Sequence, residues 1–173
     1  MRFAYADPPY PGKSAKHYAG REVNHRLLLA RLNEFDAWAL STNSTTLQDV
    51  LSICPAGVRI AAWVKTYAVL KPHVFPQYAW EPVIFSGGRN RFGEIDTPRD
   101  WLAARITAGK GMVGVKPTAF SFWLFDLVGL LPDDELVDMF PGVGAVGEAF
   151  DLWSRSPRFD AVWSNRSTQG VLE

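Results

Sequence analysis

Phe3-Ala4-Tyr5-Ala6-Asp7-Pro8-Pro9-Tyr10 decides how this chain is read. The first four residues are an apolar run suited to a buried strand, and the next four cannot extend it. Each proline lacks the backbone N–H that a strand ladder needs, so the chain leaves the sheet at Asp7. It leaves with a carboxylate and a phenol ring exposed at the strand's carboxyl end, where open α/β sheets bind their ligands. An ordinary strand-ending turn is the alternative reading of these four residues.

A second stretch lies late in the chain. Glu135-Leu136-Val137-Asp138-Met139-Phe140 reads as a strand that runs into Pro141-Gly142-Val143-Gly144-Ala145-Val146-Gly147, and Glu148 to Trp153 then reads as a helix. Glycine permits positive φ and close backbone approach, and a helix N-terminus offers free N–H groups to an anionic group. A tight turn alone needs one glycine rather than three. The spacing also satisfies the dinucleotide fingerprint G-x-G-x-x-G. That fingerprint wants an acid about 20 residues on, at the end of the next strand, and the chain there has Val162-Trp163-Ser164-Asn165-Arg166. A βαβ unit also takes about 30 residues or more, and little sequence follows.

Asp7-Pro8-Pro9-Tyr10 resembles the catalytic tetrapeptide of the amino-methyltransferases, which methylate exocyclic base amines with S-adenosylmethionine. In the beta arrangement of the DNA amino-methyltransferases this tetrapeptide comes first and the glycine loop late, as here. Val115-Lys116-Pro117 and the apolar Phe120–Leu131 are similar to that family's Lys-Pro element and following helix. The resemblance spans roughly Phe3 to Trp153. It implies an α/β chain with a Rossmann-like methyltransferase fold: a mostly parallel sheet, an antiparallel edge strand and permuted motif order. It implies S-adenosylmethionine as cofactor and methyl transfer to an exocyclic amine, adenine N6 in DNA above all.

Carried over residue by residue, the resemblance makes Asp7, Pro8, Pro9 and Tyr10 catalytic. The Asp7 carboxylate and Pro8 carbonyl would accept the amine hydrogens, and Tyr10 would stack on a base swung out of its helix. Cofactor contacts fall to Asp138, Phe140, Gly142, Gly144, Lys116 and, in part, Asp7. The chemistry requires neither a metal nor a covalent enzyme nucleophile. Three departures stand against the pattern. The strand expected over Arg158–Trp163 ends in Ser164 and Asn165 instead of the ribose-binding acid. Val143 and Ala145-Val146 occupy loop positions where relatives carry small or hydroxylated residues, and the segment that would read DNA sequence is short. A degenerate, non-catalytic relative acting as a nucleic-acid or partner-binding module is therefore the alternative. RNA and free nucleotides are alternative substrates.

With 173 residues, 47% of them hydrophobic, the chain is sized for one domain, residues 1–173, and can bury a sizeable core. One cysteine, Cys54, excludes an intrachain disulfide framework. No long uncharged apolar run or leader is evident, so the expected location is cytoplasmic, without a membrane partner. His17, His25 and His73 lack ligand-like spacing. Net charge is zero, yet Arg89, Arg91, Arg99, Arg105, Lys110 and Lys116 crowd one interval against Glu94, Asp96 and Asp100. Such an excess is either a solvated face or a track for a phosphate backbone.

Between the motifs, strands and helices alternate. Val23–Leu32 reads as a helix with Val23, Leu27 and Leu28 on one face, and Asp36–Leu40 as a strand. A helix is expected through Leu47, Val50, Leu51 and Ile53, stopping before Pro55. Val58–Val64, ending at Lys65, and Tyr78–Phe85 read as strands, and the resemblance pairs them antiparallel at the sheet edge. Thr97-Pro98-Arg99-Asp100 carries the signals of a helix start, running to Ala108 before Gly109. Residues 87–114 form the likeliest insertion and a candidate recognition segment. Ser41 and Asn43, at the end of a strand, are candidates for a pocket wall, with helix capping by Ser44, Thr45 or Thr46 as the alternative. Glu81, Arg89 and Arg91 complete the candidate substrate contacts. A homodimer that supplies missing surface is left open.

Overall fold

The computed structural model describes residues 1–9, 22–66, 70–93, 96–106 and 115–159. The elements are β1 (Arg2–Ala6), α1 (His25–Leu32), β2 (Ala37–Ser41), α2 (Leu47–Leu51), β3 (Arg59–Lys65), β4 (Trp80–Gly87), β5 (Trp101–Ala104), α3 (Thr118–Leu127), β6 (Glu135–Asp138) and α4 (Ala145–Ser154). A short 3-10 turn, Pro157–Phe159, follows. One sheet joins the strands in the order β5-β3-β4-β2-β1-β6. β4 runs antiparallel to both β2 and β3, and every other neighbouring pair is parallel. The expected antiparallel pair is present, but it does not close the sheet, because β5 lies outside it.

Side chains alternate across a strand, and here the two sets bury different helices. Tyr5, Ala39, Trp63 and Val83 pack with Phe120, Leu124, Val146 and Trp153 on the face covered by α3 and α4. Ala4, Ala6, Leu40 and Ile84 pack with Leu28, Leu32 and Val50 on the face covered by α1 and α2. Because both faces are covered, β1 and β2 are buried almost throughout and read as continuous apolar runs rather than as alternation.

Several expectations change. Leu27 is exposed, and α1 packs through Leu28, Leu29 and Leu32 instead. The helix expected from Pro98 is replaced by β5, which pairs in parallel with β3 from Ala62↔Trp101 to Lys65↔Ala104. The Ala62 N–H bonds the Asp100 carbonyl at 2.8 Å, and the Trp63 indole N–H bonds the Ala104 carbonyl at 3.1 Å. An open edge of β3 therefore outweighs the local helix-start signals. The strand ties Trp101–Ala104, within the candidate insertion, into the sheet. The strand expected over Arg158–Trp163 begins inside the 3-10 turn, and residues from Asp160 lie outside the described residues. Among the described residues no helix is long and apolar enough to cross a membrane.

Candidate functional site

The carboxyl ends of β1, β2, β3 and β6 and the amino end of β4 share one edge of the sheet. Register aligns their polar side chains on the α3 face. Tyr5 lies opposite Asp138 in β6 and opposite Ala39 in β2, two residues before Ser41. Ser41 lies opposite Val83, and Glu81, two residues back along β4, lies opposite Trp63. Period-2 alternation puts Tyr5, Ser41, Glu81, Lys65 and Asp138 on that one face.

Asp7 follows directly on β1. Lys116, just before α3, comes down onto it with 3.3 Å between Nζ and Asp7 Oδ2. The same ammonium donates to Glu81 Oε2 at 2.9 Å, and Lys65 donates to the other Glu81 oxygen at 2.5 Å. Lys116 is buried, its Nζ 5.3 Å from the Trp63 ring centroid and 5.4 Å from that of Phe120. A desolvated ammonium is costly unless paired, and two carboxylates and two ring faces surround this one.

The carboxylates respond differently. Burial pushes the Asp7 carboxyl above the usual range; Lys116 pulls it down, and the Glu81 charge adds to the rise. Burial also opposes ionisation of Glu81, but Lys116 and Lys65 together outweigh it and hold the group below its ordinary value. Asp138 is raised by burial and by the Asp7 charge, against a 3.1 Å bond from the Phe140 N–H to its Oδ1. Two partly buried carboxylates thus stand near one another at the ends of adjacent parallel strands. A positively charged ligand between them would relieve both.

The glycine loop follows Asp138. Gly142 and Gly144 have φ of 52° and 82°, a region that L side chains rarely adopt. Gly144 is the N-cap of α4 and supplies no side-chain cap, so the helix's first N–H groups depend on other partners. A Cβ at Gly144 would meet nothing within 4 Å. The loop is shaped by backbone conformation and leaves room beside α4. The carboxylates of Asp7 and Asp138 suit a cationic group, and the uncapped N–H groups at the start of α4 suit an anionic one.

Other expected site residues fall elsewhere. Pro8 is buried and Pro9 half-buried beside Asp7, whereas Tyr10 lies outside the described residues. Ser41 is buried and 2.8 Å from the Tyr5 hydroxyl. Asn43 braces the turn that leads into α2: its Oδ1 accepts from the Thr45 and Thr46 N–H groups, each at 2.9 Å. The N-cap of α2 is Thr46, which makes no side-chain cap bond. Arg89 and Arg91 are not brought to the site. Arg89 forms a two-pronged ion pair with Asp134, which also takes the Met1 amino group at 2.7 Å. Arg91 is buried and reaches the Leu130 carbonyl at 3.4 Å. Both stand at the amino end of the parallel strands, where a cavity of about 460 Å³ is lined by Arg59, Gly87, Gly88, Arg89, Arg91 and Asp126. This cavity lies at the opposite end of the sheet from Asp7. Among the described residues no three His, Cys, Asp or Glu side chains cluster as a metal site would require.

Lys65 was not among the expected site residues. Its signal in the sequence is weak, a cation two residues after Trp63 at a strand end; only the β3–β4 register faces it to Glu81.

No family model matches the chain, and no curated protein matches it. Among solved structures it is similar to M1.HpyAVI in complex with SAM, with a TM-score of 0.61 and 13% identity over 89% of this chain and 78% of that one. It is similar also to M1.HpyAVI alone, with a TM-score of 0.56 and 15% identity over 89% and 77%. At such identities the likeness is one of fold. The mixed sheet with helices on both faces is the α/β fold that the chain shares with those structures.

Proposed function

We propose that this protein transfers a methyl group from S-adenosylmethionine to an exocyclic base amine, with adenine N6 in DNA as the substrate. The observation that carries the reading is the meeting of Asp7 and Asp138 at the carboxyl ends of adjacent parallel strands, next to the Gly142–Gly144 loop and the uncapped α4. The fold match to a structure solved with SAM supports it.

S-adenosylmethionine supplies an activated methyl group on a positively charged sulfur. Asp138, the Phe140–Gly144 backbone and the start of α4 would hold it. Asp7 accepts a hydrogen bond from the substrate amine and Pro8 contributes its carbonyl, which pyramidalises the nitrogen and offsets its growing positive charge. Holding amine and methyl donor in line supplies much of the remaining acceleration. Tyr10, outside the described residues, is the ring that the tetrapeptide resemblance assigns to stacking on an extruded base. Exposed rings at the same end of the sheet support a nucleic-acid substrate: Phe75, Tyr78 and Trp80 line a cavity of about 360 Å³ with His73, and the Lys71 ammonium lies 5.5 Å from the Tyr78 ring. Aromatic faces with a cation among them suit stacked bases and a phosphate backbone.

Incubation with isotopically labelled S-adenosylmethionine and unmethylated DNA, RNA or nucleotides, followed by nucleoside mass spectrometry, tests this. Label on N6 of deoxyadenosine is the expected result. Calorimetric titration with S-adenosylmethionine separates the enzyme from a fold kept only for binding nucleic acid or a protein partner, which would show no heat.

A further inference from the structure

Four charged side chains form an unbroken series along the α3 face: Lys65, Glu81, Lys116 and Asp7. Two positive and two negative groups balance. Lys116 divides unequally between its carboxylates, 2.9 Å from Glu81 and 3.3 Å from Asp7. An ammonium fully captured by Asp7 would occupy the carboxylate that the substrate amine needs. It would also set an extra positive charge beside a nitrogen that is becoming positive. Lys65 holds the far oxygen of Glu81 and so fixes where that carboxylate points.

We propose that Glu81 is a positioning residue which, by sharing the Lys116 ammonium, keeps the Asp7 carboxylate open to the substrate amine. This rests on the reading of Asp7 as acceptor of the amine. Glu81 itself acts only through Lys116. The charged groups facing Asp7 are Lys116 ahead of α3, Glu81 on β4, Lys65 on β3 and Asp138 on β6, and the first three give the test its signs. Glu81 raises the Asp7 carboxyl, and both lysines lower it.

The experiment follows the Asp7 carboxyl carbon by NMR through a pH titration of the free, full-length protein, with methyl transfer to unmethylated DNA measured alongside. With Glu81→Gln the Asp7 midpoint moves to lower pH, because Lys116 is left to Asp7 alone. With Lys65→Met it moves to higher pH, because Glu81 draws Lys116 away. In the transfer assay Glu81→Gln lowers kcat by about 10- to 100-fold, the scale of a small misplacement. KM for S-adenosylmethionine and for DNA stays unchanged, and Glu81→Asp recovers part of the loss. Asp7 midpoints that stay put in both variants, or a changed KM at constant kcat, overturn the proposal. Should Glu81→Gln fail to fold, Lys65→Met decides by the same criterion. If Asp7→Ala retains turnover, the reading of Asp7 falls and this inference with it. If Asp7→Ala is inactive while the titrations do not move, this inference alone falls.

Discussion

The Lys116 ammonium stands 3.3 Å from the Asp7 carboxylate, with only 7% of its side chain exposed against 25% for the acid. The cation is the more deeply buried partner, and its removal strands the Asp7 charge and leaves Glu81 to Lys65 alone. Lys116→Met is expected to destabilise the fold by about 3 kcal/mol, the scale for breaking a buried pair from one side. Urea unfolding measures this. A loss below about 1 kcal/mol would mean that the cluster is solvated like a surface pair.

The Arg89–Asp134 pair should serve the fold. Asp134 is held down to about 2 by the Arg89 guanidinium, the Met1 amino group and the Leu131 N–H, against the opposing effect of burial. A carboxyl depressed in the folded state stabilises above its unfolded value and loses that contribution as pH falls through the folded one. Stability should thus decline between about pH 5 and pH 2. Asp134→Asn should flatten that window at a cost of about 1–2 kcal/mol at neutral pH. Arg89→Met should match that cost while leaving DNA affinity unchanged, and a selective loss of DNA binding would return Arg89 to the substrate contacts.

Positive φ at Gly144 sets the expectation for the loop. Gly144→Ala should lower stability by about 1–2 kcal/mol through backbone strain alone, since nothing crowds the added methyl. Gly147 is helical, without positive φ, and equally uncrowded, so Gly147→Ala should be neutral or stabilising by up to about 1 kcal/mol. Thermal unfolding of both variants checks the contrast. Equal losses would show that something other than φ matters at this loop.

Binding of S-adenosylmethionine should release protons under mildly acidic conditions. Burial raises both Asp7 and Asp138, and each also feels its carboxylate neighbour. A cation settling near them favours the ionised forms and drives bound protons off. Calorimetry in buffers of different ionisation enthalpy reads this directly, with affinity falling as pH drops. Proton uptake, or affinity independent of acidification, would move the cation away from these acids.

How much of this was legible in the sequence depends on the range of the interactions involved. Pro8 and Pro9 end β1 by chemistry local to themselves, and Gly142 and Gly144 mark a turn by their own backbone freedom. Both motifs, and most of the elements between them, could be read directly. The β5 strand could not, because Thr97-Pro98 gives a sound local signal for a helix and only the β3 edge overrides it. Lys65, Glu81 and Lys116 meet through strand register and a long connection, so their separation in sequence hides the cluster. Charge counting likewise found Arg89 and Arg91 without telling which end of the sheet they occupy. Asn43 shows the same limit at short range: a polar cluster after a strand announces a turn without fixing which side chain braces it.

The central claim is that Asp7 receives the amine at a crevice that also holds S-adenosylmethionine. It is tested most directly by comparing wild type with Asp7→Ala, with labelled S-adenosylmethionine and unmethylated DNA, and counting N6-methyldeoxyadenosine by mass spectrometry. The account predicts label on that nucleoside from the wild type and none from the variant, whose affinity for S-adenosylmethionine, measured in parallel, stays within about tenfold, or roughly 1.4 kcal/mol. Undiminished methylation by Asp7→Ala would contradict it.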